Sequence, residues 1–144
     1  GALEKIKSYL DYGAFTPIQV AAASALSSNS NTIAKVREVY KKRRDVLVDS
    51  MSKAGWEIPS PDATMFAWAP IPEKFRPLGS LEFSKVLLKE ADISVAPGIG
   101  FGEYGENFVR IGLVENEHRI RQAARNIKAV LTKADKILSD HSLN

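Results

Sequence analysis

Residues 2–10 carry leucine and isoleucine three or four positions apart, the spacing that places apolar side chains on one face of a helix. An alanine-rich segment predicts a second helix over 17–27, after a loop that contains glycine and proline. Thr16 is the expected N-cap of this helix, and Pro17 fits its first turn because proline lacks the amide hydrogen that a first turn leaves unpaired. The first part of the chain is therefore predicted to form two short helices.

A much longer helix is predicted over residues 32–54, where apolar side chains keep helical spacing. Asn31 is a suitable N-cap, and Gly55 is suited to end the helix in the left-handed conformation. From the rise per residue the helix is roughly 35 Å long, a length typical of helices that connect two bodies. We place the domain boundary in the Ser/Asn cluster before it, which separates residues 1–30 from residues 31–144.

The second half of the chain alternates short β-branched and aromatic runs with helical patterns. One helix is predicted over 81–91, opened by Ser80, and another over 117–139. Four runs predict strands: Trp56–Ile58, Met65–Ala69, Ile93–Ala96 and Phe108–Val114. This order predicts an α+β fold, in which helices cover one side of a small mixed or antiparallel sheet.

The composition excludes several classes of protein. The chain has 144 residues, 44% of them hydrophobic, which suits one ordinary globular domain. It contains no cysteine, so a disulfide framework and a thiolate metal site are excluded, and this fits a reducing cytoplasm. No apolar run approaches the roughly 20 residues of a membrane helix, so no membrane partner is expected. The net charge of +3 is too small to argue for or against a nucleic-acid partner.

Lys41–Arg44 form a basic run on the predicted long helix. Four consecutive helical residues spread round the whole circumference, so a solvated surface is expected. No aromatic side chains are interleaved with the run, unlike in a platform for single-stranded nucleic acid. The two histidines, His118 and His141, are far apart in sequence. Neither a nucleic acid nor a metal ion is therefore an expected partner.

The glycine-rich segment at residues 96–116 contains a formal match, Gly100 to Gly105, to the dinucleotide-binding pattern G-x-G-x-x-G. That pattern works only where a helix follows, because the helix N-terminus holds the pyrophosphate. Here a strand is predicted to follow, and Glu103 and Glu106 would repel phosphate. The glycines are better explained by a tight connection that needs their backbone freedom.

Arg110 stands in the middle of an apolar strand pattern. Alternation places Val109 and Ile111 on one face, and Phe108 and Arg110 on the other. Burying a guanidinium is costly unless an anion meets it, and arginine is well shaped to bind a carboxylate through two parallel hydrogen bonds. The pattern leaves two interpretations open: a structural ion pair with a core carboxylate, or a binding site for a carboxylate ligand.

Five stretches of the chain match the sequence patterns of a known family: SYLDYGAFTPIQVAA at 8–22, YKKRRDVLV at 40–48, GSLEFSKVLL at 79–88, SVAPGIGFGEYG at 94–105 and VRIGLVEN at 109–116. Together they resemble class I aminotransferases of pyridoxal-phosphate fold type I. The pattern PG-x-x-FG…G…VR-x-x-L-x-EN is fairly specific to the class. The stretch DYG-x-FTPIQ points to glutamate–pyruvate (alanine) aminotransferases. The resemblance covers nearly all of residues 2–138.

The resemblance implies a large α/β domain that holds the cofactor, a long helix that leaves it, and a small domain that closes over the substrate. Residues 1–30 then correspond to the tail of the large domain, and residues 31–144 to the small C-terminal domain. The arginine of VR-x-x-L-x-EN binds the substrate α-carboxylate in the family, and Arg110 matches it. The loop that contains Tyr12 and Phe15 resembles one that reaches the neighbouring subunit's active site in the family's homodimer.

The cofactor that the resemblance implies is pyridoxal 5′-phosphate. The family's Schiff-base lysine stands in a Ser-x-Ser-Lys type motif shortly before the matching segment, and no lysine here has that setting. Lys5 and Lys7 lie downstream of the expected position. The partner of the pyridinium nitrogen and the phosphate site are also expected outside this sequence. We therefore expect the C-terminal part of an aminotransferase, with no catalytic or cofactor-binding residue of its own and no activity alone.

The implied reaction of the parent enzyme moves an amino group between an amino acid and a 2-oxo acid. Alanine/pyruvate and glutamate/2-oxoglutarate are the expected pairs, and a cytoplasmic homodimer is the expected setting. Two alternatives stay open. One is an aspartate- or diaminopimelate-type aminotransferase, and the other is a non-enzymatic, stand-alone interaction domain.

Overall fold

A computed structural model of the chain describes residues 1–10, 13–28 and 31–141, with side chains up to residue 139. Its backbone contacts divide it into two compact units, Gly1–Lys35 and Val36–Asn144. The assignment of residues 1–30 to the tail of a larger domain stays a prediction.

The first unit contains helix α1, Ala2–Leu10, and helix α2, Thr16–Ser27, near the predicted positions. The predicted cap of α2 is wrong by one residue. Phe15, not Thr16, is the N-cap, and its carbonyl oxygen accepts hydrogen bonds from the amides of Ile18 and Gln19. No side chain caps this end of the helix, since Thr16 already lies inside its first turn.

The apolar side chains of the first unit are exposed. Every residue that the structure describes within Gly1–Lys35 is exposed, and Leu26 retains 88% of its accessible surface. Helix α2 carries no charged residue along its length. Exposed apolar area on this scale favours association with another surface, since its removal from water is favourable.

We expect hydrogen exchange to separate the two units. Amides of α1 and α2 should exchange fast because no described side chain there is buried, whereas amides between residues 81 and 138 should be protected. Measurement at several protein concentrations distinguishes an open first unit from one that is covered by a second copy. Equal protection of both regions in a proven monomer would contradict this prediction.

Helix α3 spans Thr32–Ala54. Its C-terminal end closes as predicted at Gly55, which has a φ of 92°. The Gly55 amide donates to the Ser52 carbonyl at 2.9 Å, and the Trp56 amide donates to the Met51 carbonyl at 2.9 Å. These two bonds form a Schellman motif, which satisfies carbonyls that a helix end leaves unpaired. The motif turns the chain so that Trp56 enters the core.

The sheet of the second unit is antiparallel, one of the two arrangements that the sequence left open, and it has three strands where four were predicted. Strand β1 is Phe66–Pro70, β2 is Ala96–Pro97 and β3 is Phe108–Gly112. The strand order is β1–β3–β2, which puts β3 in the centre. The predicted strand at Ile93–Ala96 is shorter and later than expected, since only two residues of β2 pair with β3.

The predicted strand at Trp56–Ile58 is wrong. This segment has no regular secondary structure and is not part of the sheet. Trp56 and Ile58 are buried, and the Trp56 indole N–H donates to the Pro70 carbonyl at 2.8 Å. Their alternation with exposed Glu57 arises from burial against the core, which produces the same sequence pattern as strand pairing.

Three further α-helices lie in the described part of the second unit: α4 spans Gly79–Ala91, α5 spans Glu117–Thr132 and α6 spans Ala134–His141. The single helix predicted over 117–139 is therefore two helices. The break falls at Lys133, whose amide donates to the carbonyls of Ala129 and Val130 and so tightens the last turn of α5. Asn116 caps α5, as its side chain accepts from the amides of His118 and Arg119.

One face of the sheet belongs to the core, and α4 packs against α5 beside it. Ala67, Ala69 and Val109 are fully buried on that face. The largest buried side chains around them include Met51, Trp56, Ile71, Phe75, Phe83, Leu87, Leu113 and Ile127. Among the described residues of the second unit, no such layer covers the opposite face of the sheet, and this face holds the candidate site.

Candidate functional site

The open face of the sheet carries aromatic side chains around one arginine. Alternation along β1 and β3 sends Phe66, Trp68, Phe108 and Arg110 to this face, while Val109 points into the core. Arg110 lies in the central strand, opposite Trp68 on one side and Ala96 on the other. The predicted side for Arg110 is confirmed.

The Arg110 guanidinium is flanked by two phenyl rings. Its Cζ atom lies 4.1 Å from the centroid of the Phe66 ring and 4.4 Å from that of Phe101. Both distances are well inside the range in which a ring face attracts a cation. The rings attract the charge but accept no strong hydrogen bond from the guanidinium, so its N–H donors stay available to a ligand.

No carboxylate of residues 1–10, 13–28 or 31–139 forms a salt bridge with Arg110. The core of the same ranges contains no buried aspartate or glutamate, because its buried polar residues are Ser80 and Ser84. The structural ion pair that the sequence left open therefore lacks a partner there. A half-buried permanent cation without an anion is costly, and such a group is a strong candidate for binding one.

Trp68 is the residue of β1 that lies opposite Arg110, and its indole provides an aromatic surface beside the guanidinium. Its indole stacks on Phe108, with ring centroids 5.6 Å apart and planes inclined by 20°. The Phe101 ring is also in edge-to-face contact with the indole, with ring centroids 5.6 Å apart and planes inclined by 75°. Trp68 keeps 38% of its surface exposed, so a ligand at Arg110 would meet an apolar surface beside the charge.

A tight connection, residues 98–105, follows β2, and we call it the glycine loop. It consists of two short 3₁₀ turns, Gly98–Phe101 and Glu103–Gly105, and it leads into strand β3. A strand follows the formal G-x-G-x-x-G match, so the rejection of a dinucleotide site is supported by the fold. Gly98 and Gly105 lie back to back, since a Cβ on either would overlap the carbonyl of the other.

Glu106 anchors the base of the glycine loop. Its Oε1 accepts from the Ser80 amide at 3.1 Å, and its Oε2 accepts from the Ser80 hydroxyl at 2.9 Å. The Ser80 oxygen in turn accepts from the Ile99 amide at 3.1 Å. This role has no local sequence signal, because Ser80 and Glu106 are far apart in sequence and only the fold brings them together.

The basic run on α3 is only partly the solvated surface that was expected. Lys41 and Arg44 both bind Asp45, and the hydrogen bonds from Lys41 and then from Arg44 lower the pKa of its carboxyl below the usual value. Arg43 instead turns inward, where one of its terminal nitrogens donates to the carbonyls of Leu113 and Val114 at 3.0 and 3.1 Å. Arg43 thereby anchors the chain just beyond β3.

Of the two residues predicted for a subunit-spanning loop, Tyr12 lies outside the described residues. Phe15 belongs to the first unit and keeps 73% of its surface exposed. Across the part of the chain that the structure covers, no group of three metal-ligating side chains occurs, and no helix is long and apolar enough to span a membrane. Arg110 is therefore the only predicted site residue whose surroundings form a candidate site in the described part of the chain.

A protein-family model matches the greater part of the chain. The family model for aminotransferase class I and II matches residues 2–127, which includes the sheet, the glycine loop and Arg110. The chain belongs to this family. Its aminotransferase relatives include AatC of Rhizobium meliloti (strain 1021), with 68% identity over 95% of this chain and 34% of that protein. Glutamate-pyruvate aminotransferase AlaC of Escherichia coli (strain K12) is 54% identical to this chain, and the match covers 95% of this chain and 33% of the length of AlaC.

A solved aminotransferase from Staphylococcus aureus superposes with a TM-score of 0.78 and 29% identity. The match covers 90% of this chain and 34% of that one. The α+β architecture predicted from the sequence is thus the fold found in aminotransferases. The chain spans about a third of the length of the curated relatives that it matches: 34% of AatC and 33% of AlaC.

Proposed function

We propose that this chain works as part of a longer aminotransferase, in which it binds and orients the substrate. The reaction would exchange an amino group between an amino acid and a 2-oxo acid. The 54% identity to a glutamate-pyruvate aminotransferase supports alanine/pyruvate and glutamate/2-oxoglutarate as the pairs. The observation that carries the proposal is the half-buried Arg110 without an acidic partner in the described ranges, on the open face of an aminotransferase fold.

Arg110 would bind the α-carboxylate of the substrate. A guanidinium presents parallel N–H donors that match the two oxygens of a carboxylate, and the pair is fixed in one plane. The flanking rings exclude water from the faces of the guanidinium, which strengthens the electrostatic attraction. Every amino-acid and 2-oxo-acid substrate carries this carboxylate, so the same contact would serve both halves of the reaction.

The residues of this chain do not by themselves fit a pyridoxal-phosphate site. All of its lysines are exposed, and several bind surface carboxylates, such as Lys74 with Asp135 and Lys85 with Glu82. No lysine shares the open sheet face with Arg110. We therefore propose that the cofactor and its Schiff-base lysine belong to the rest of the enzyme, and that this chain alone is inactive.

We expect this chain to form no stable internal aldimine when it is incubated with pyridoxal phosphate. All lysines of the chain are exposed and would react reversibly with the aldehyde, and the phosphate site of the cofactor is proposed to lie in the rest of the enzyme. The measurement is borohydride reduction after dialysis, followed by mass spectrometry of peptides. A stoichiometric adduct at one lysine would contradict the prediction, whereas scattered traces would agree with it.

The choice of substrate is tested with the complete enzyme. Pyruvate formation from alanine with 2-oxoglutarate as acceptor should be faster than reaction with aspartate or diaminopimelate. A preference for either of those donors would replace the proposed pair with the alternative class. If the complete protein transferred no amino group between any of these substrates, a non-enzymatic interaction role would replace the proposal.

A further inference from the structure

We infer that Glu106 is a positioning residue for Arg110, and that it acts through the glycine loop and Phe101. The inference rests on the proposed function, because it assigns a role to residues around the carboxylate-binding arginine. It adds a residue that touches no substrate and lies at the base of the loop. The observations that carry it are a chain of hydrogen bonds and a chain of ring contacts that meet in one short segment.

The hydrogen-bond chain joins three separate parts of the fold. The Glu106 carboxylate accepts from both the amide and the hydroxyl of Ser80, in the first turn of α4. The Ser80 oxygen accepts from the Ile99 amide, at the start of the glycine loop. Ser80 is fully buried, so this network is shielded from competing water. A carboxylate at a helix N-terminus is also stabilised by the helix dipole.

Backbone contact makes the base of the loop rigid. Gly98 and Gly105 touch through their backbones, which brings the two ends of the loop together. Gly79 has a φ of 73°, and a Cβ on it would overlap the Glu106 carboxylate. The Glu106 carboxylate therefore lies against the backbone of Gly79 and Ser80. A loop whose ends are fixed in this way has little freedom to move its middle.

The middle of the loop carries Phe101, whose ring centroid lies 4.4 Å from the Arg110 Cζ atom and whose ring is in edge-to-face contact with Trp68. Only Gly100 separates Phe101 from Ile99, whose amide donates to the Ser80 oxygen. If Ser80 and Glu106 no longer held the base, the Phe101 ring would lose its fixed place. The guanidinium would then rotate about its long side chain, and binding a carboxylate would require it to be ordered again.

The test uses the complete enzyme and steady-state kinetics with alanine. Phe101→Leu and Glu106→Ala should each lower kcat/KM by about five- to tenfold, mainly through a higher KM. The kcat/KM of Glu106→Gln should lie between those of the wild type and Glu106→Ala, because the side-chain oxygen of glutamine can still accept a hydrogen bond from the Ser80 amide. Phe101→Tyr keeps the ring face that lies against the guanidinium, so its kcat/KM should stay within about twofold of that of the wild type.

Two neighbouring residues provide matched controls. Glu103 and Tyr104 lie in the same loop with exposed side chains, and Tyr104 is fully exposed. Glu103→Ala and Tyr104→Ala should therefore leave KM unchanged. A loss of folded enzyme lowers kcat and leaves KM unchanged, so the KM increase separates positioning from instability. If Glu106→Ala does not fold, Glu106→Gln and Phe101→Leu decide the question.

A double-mutant cycle tests whether the effect passes through Arg110. In the Arg110→Lys background, Phe101→Leu and Glu106→Gln should each change kcat/KM by less than about twofold, since the guanidinium that they position is absent. If their effects remained as large as in the wild type, the inference would be overturned. If Arg110→Lys itself had no effect, the proposed function would fail instead, so the two failures are distinguishable.

Discussion

Replacing Arg110 with lysine in the complete enzyme is expected to lower kcat/KM by at least about tenfold for amino-acid substrates. Lysine keeps the positive charge but loses the planar fork that matches a carboxylate. Losing one partner of a buried charge pair costs about 2–5 kcal/mol, and lysine should recover only part of that. Each 1.36 kcal/mol corresponds to roughly a factor of ten in rate. The loss should be similar for alanine and glutamate, because both carry the same α-carboxylate.

The matched control for this variant is Arg76→Lys. Arg76 is exposed, and its side chain makes no ion pair or hydrogen bond within the described ranges. The Arg76→Lys variant should leave kcat and KM unchanged. If Arg110→Lys stayed within twofold of the wild type for both substrates, Arg110 would not bind the carboxylate. An effect on glutamate alone would indicate that Arg110 recognises the side-chain carboxylate instead.

The largest effect on stability is expected from Gly98→Ala. A Cβ at this position would overlap the Gly105 carbonyl and lie 2.5 Å from the Phe108 carbonyl. Both obstacles are backbone atoms, which cannot rotate away as a side chain would. Overpacking of this kind costs about 1–3 kcal/mol. For a unit of about 100 residues, this lowers Tm by on the order of 10 °C.

Gly100→Ala is the control for this prediction, two residues along the same loop. A Cβ on Gly100 would meet no atom within 4 Å, and neither glycine has a positive φ. The two variants therefore differ only in the space available, and Gly100→Ala should stay within about 0.5 kcal/mol of the wild type. Thermal unfolding measured by circular dichroism compares them. Equal melting temperatures would show that the base of the loop is not closed by backbone contact.

The elements with a strong sequence period were predictable. Residues 2–10, 17–27 and 32–54 form helices near the predicted places, because apolar spacing and glycine or proline signals agree there. The side of β3 that carries Arg110 was also predictable, since one residue of alternation decides it. The family resemblance then gave Arg110 a role that alternation alone could not choose.

The features that were missed depend on contacts between distant residues. Trp56 and Ile58 mimic a strand because burial of alternate residues produces the same pattern as pairing. The pairing of Ser80 with Glu106 has no local signal, and a helix-opening serine was the simpler interpretation. The two phenyl rings beside Arg110 come from β1 and from the glycine loop, so no window of sequence contains all three.

The uncompensated charge of Arg110 has a consequence for how such an enzyme is assayed. With Arg110 as the carboxylate site, acetate, chloride or phosphate from the medium would occupy the fork in competition with the amino acid. The apparent KM would then vary with the anion of the buffer as well as with the substrate. Preparations in a bulky zwitterionic buffer would give the lower value, and comparisons between laboratories would require the same counter-ion.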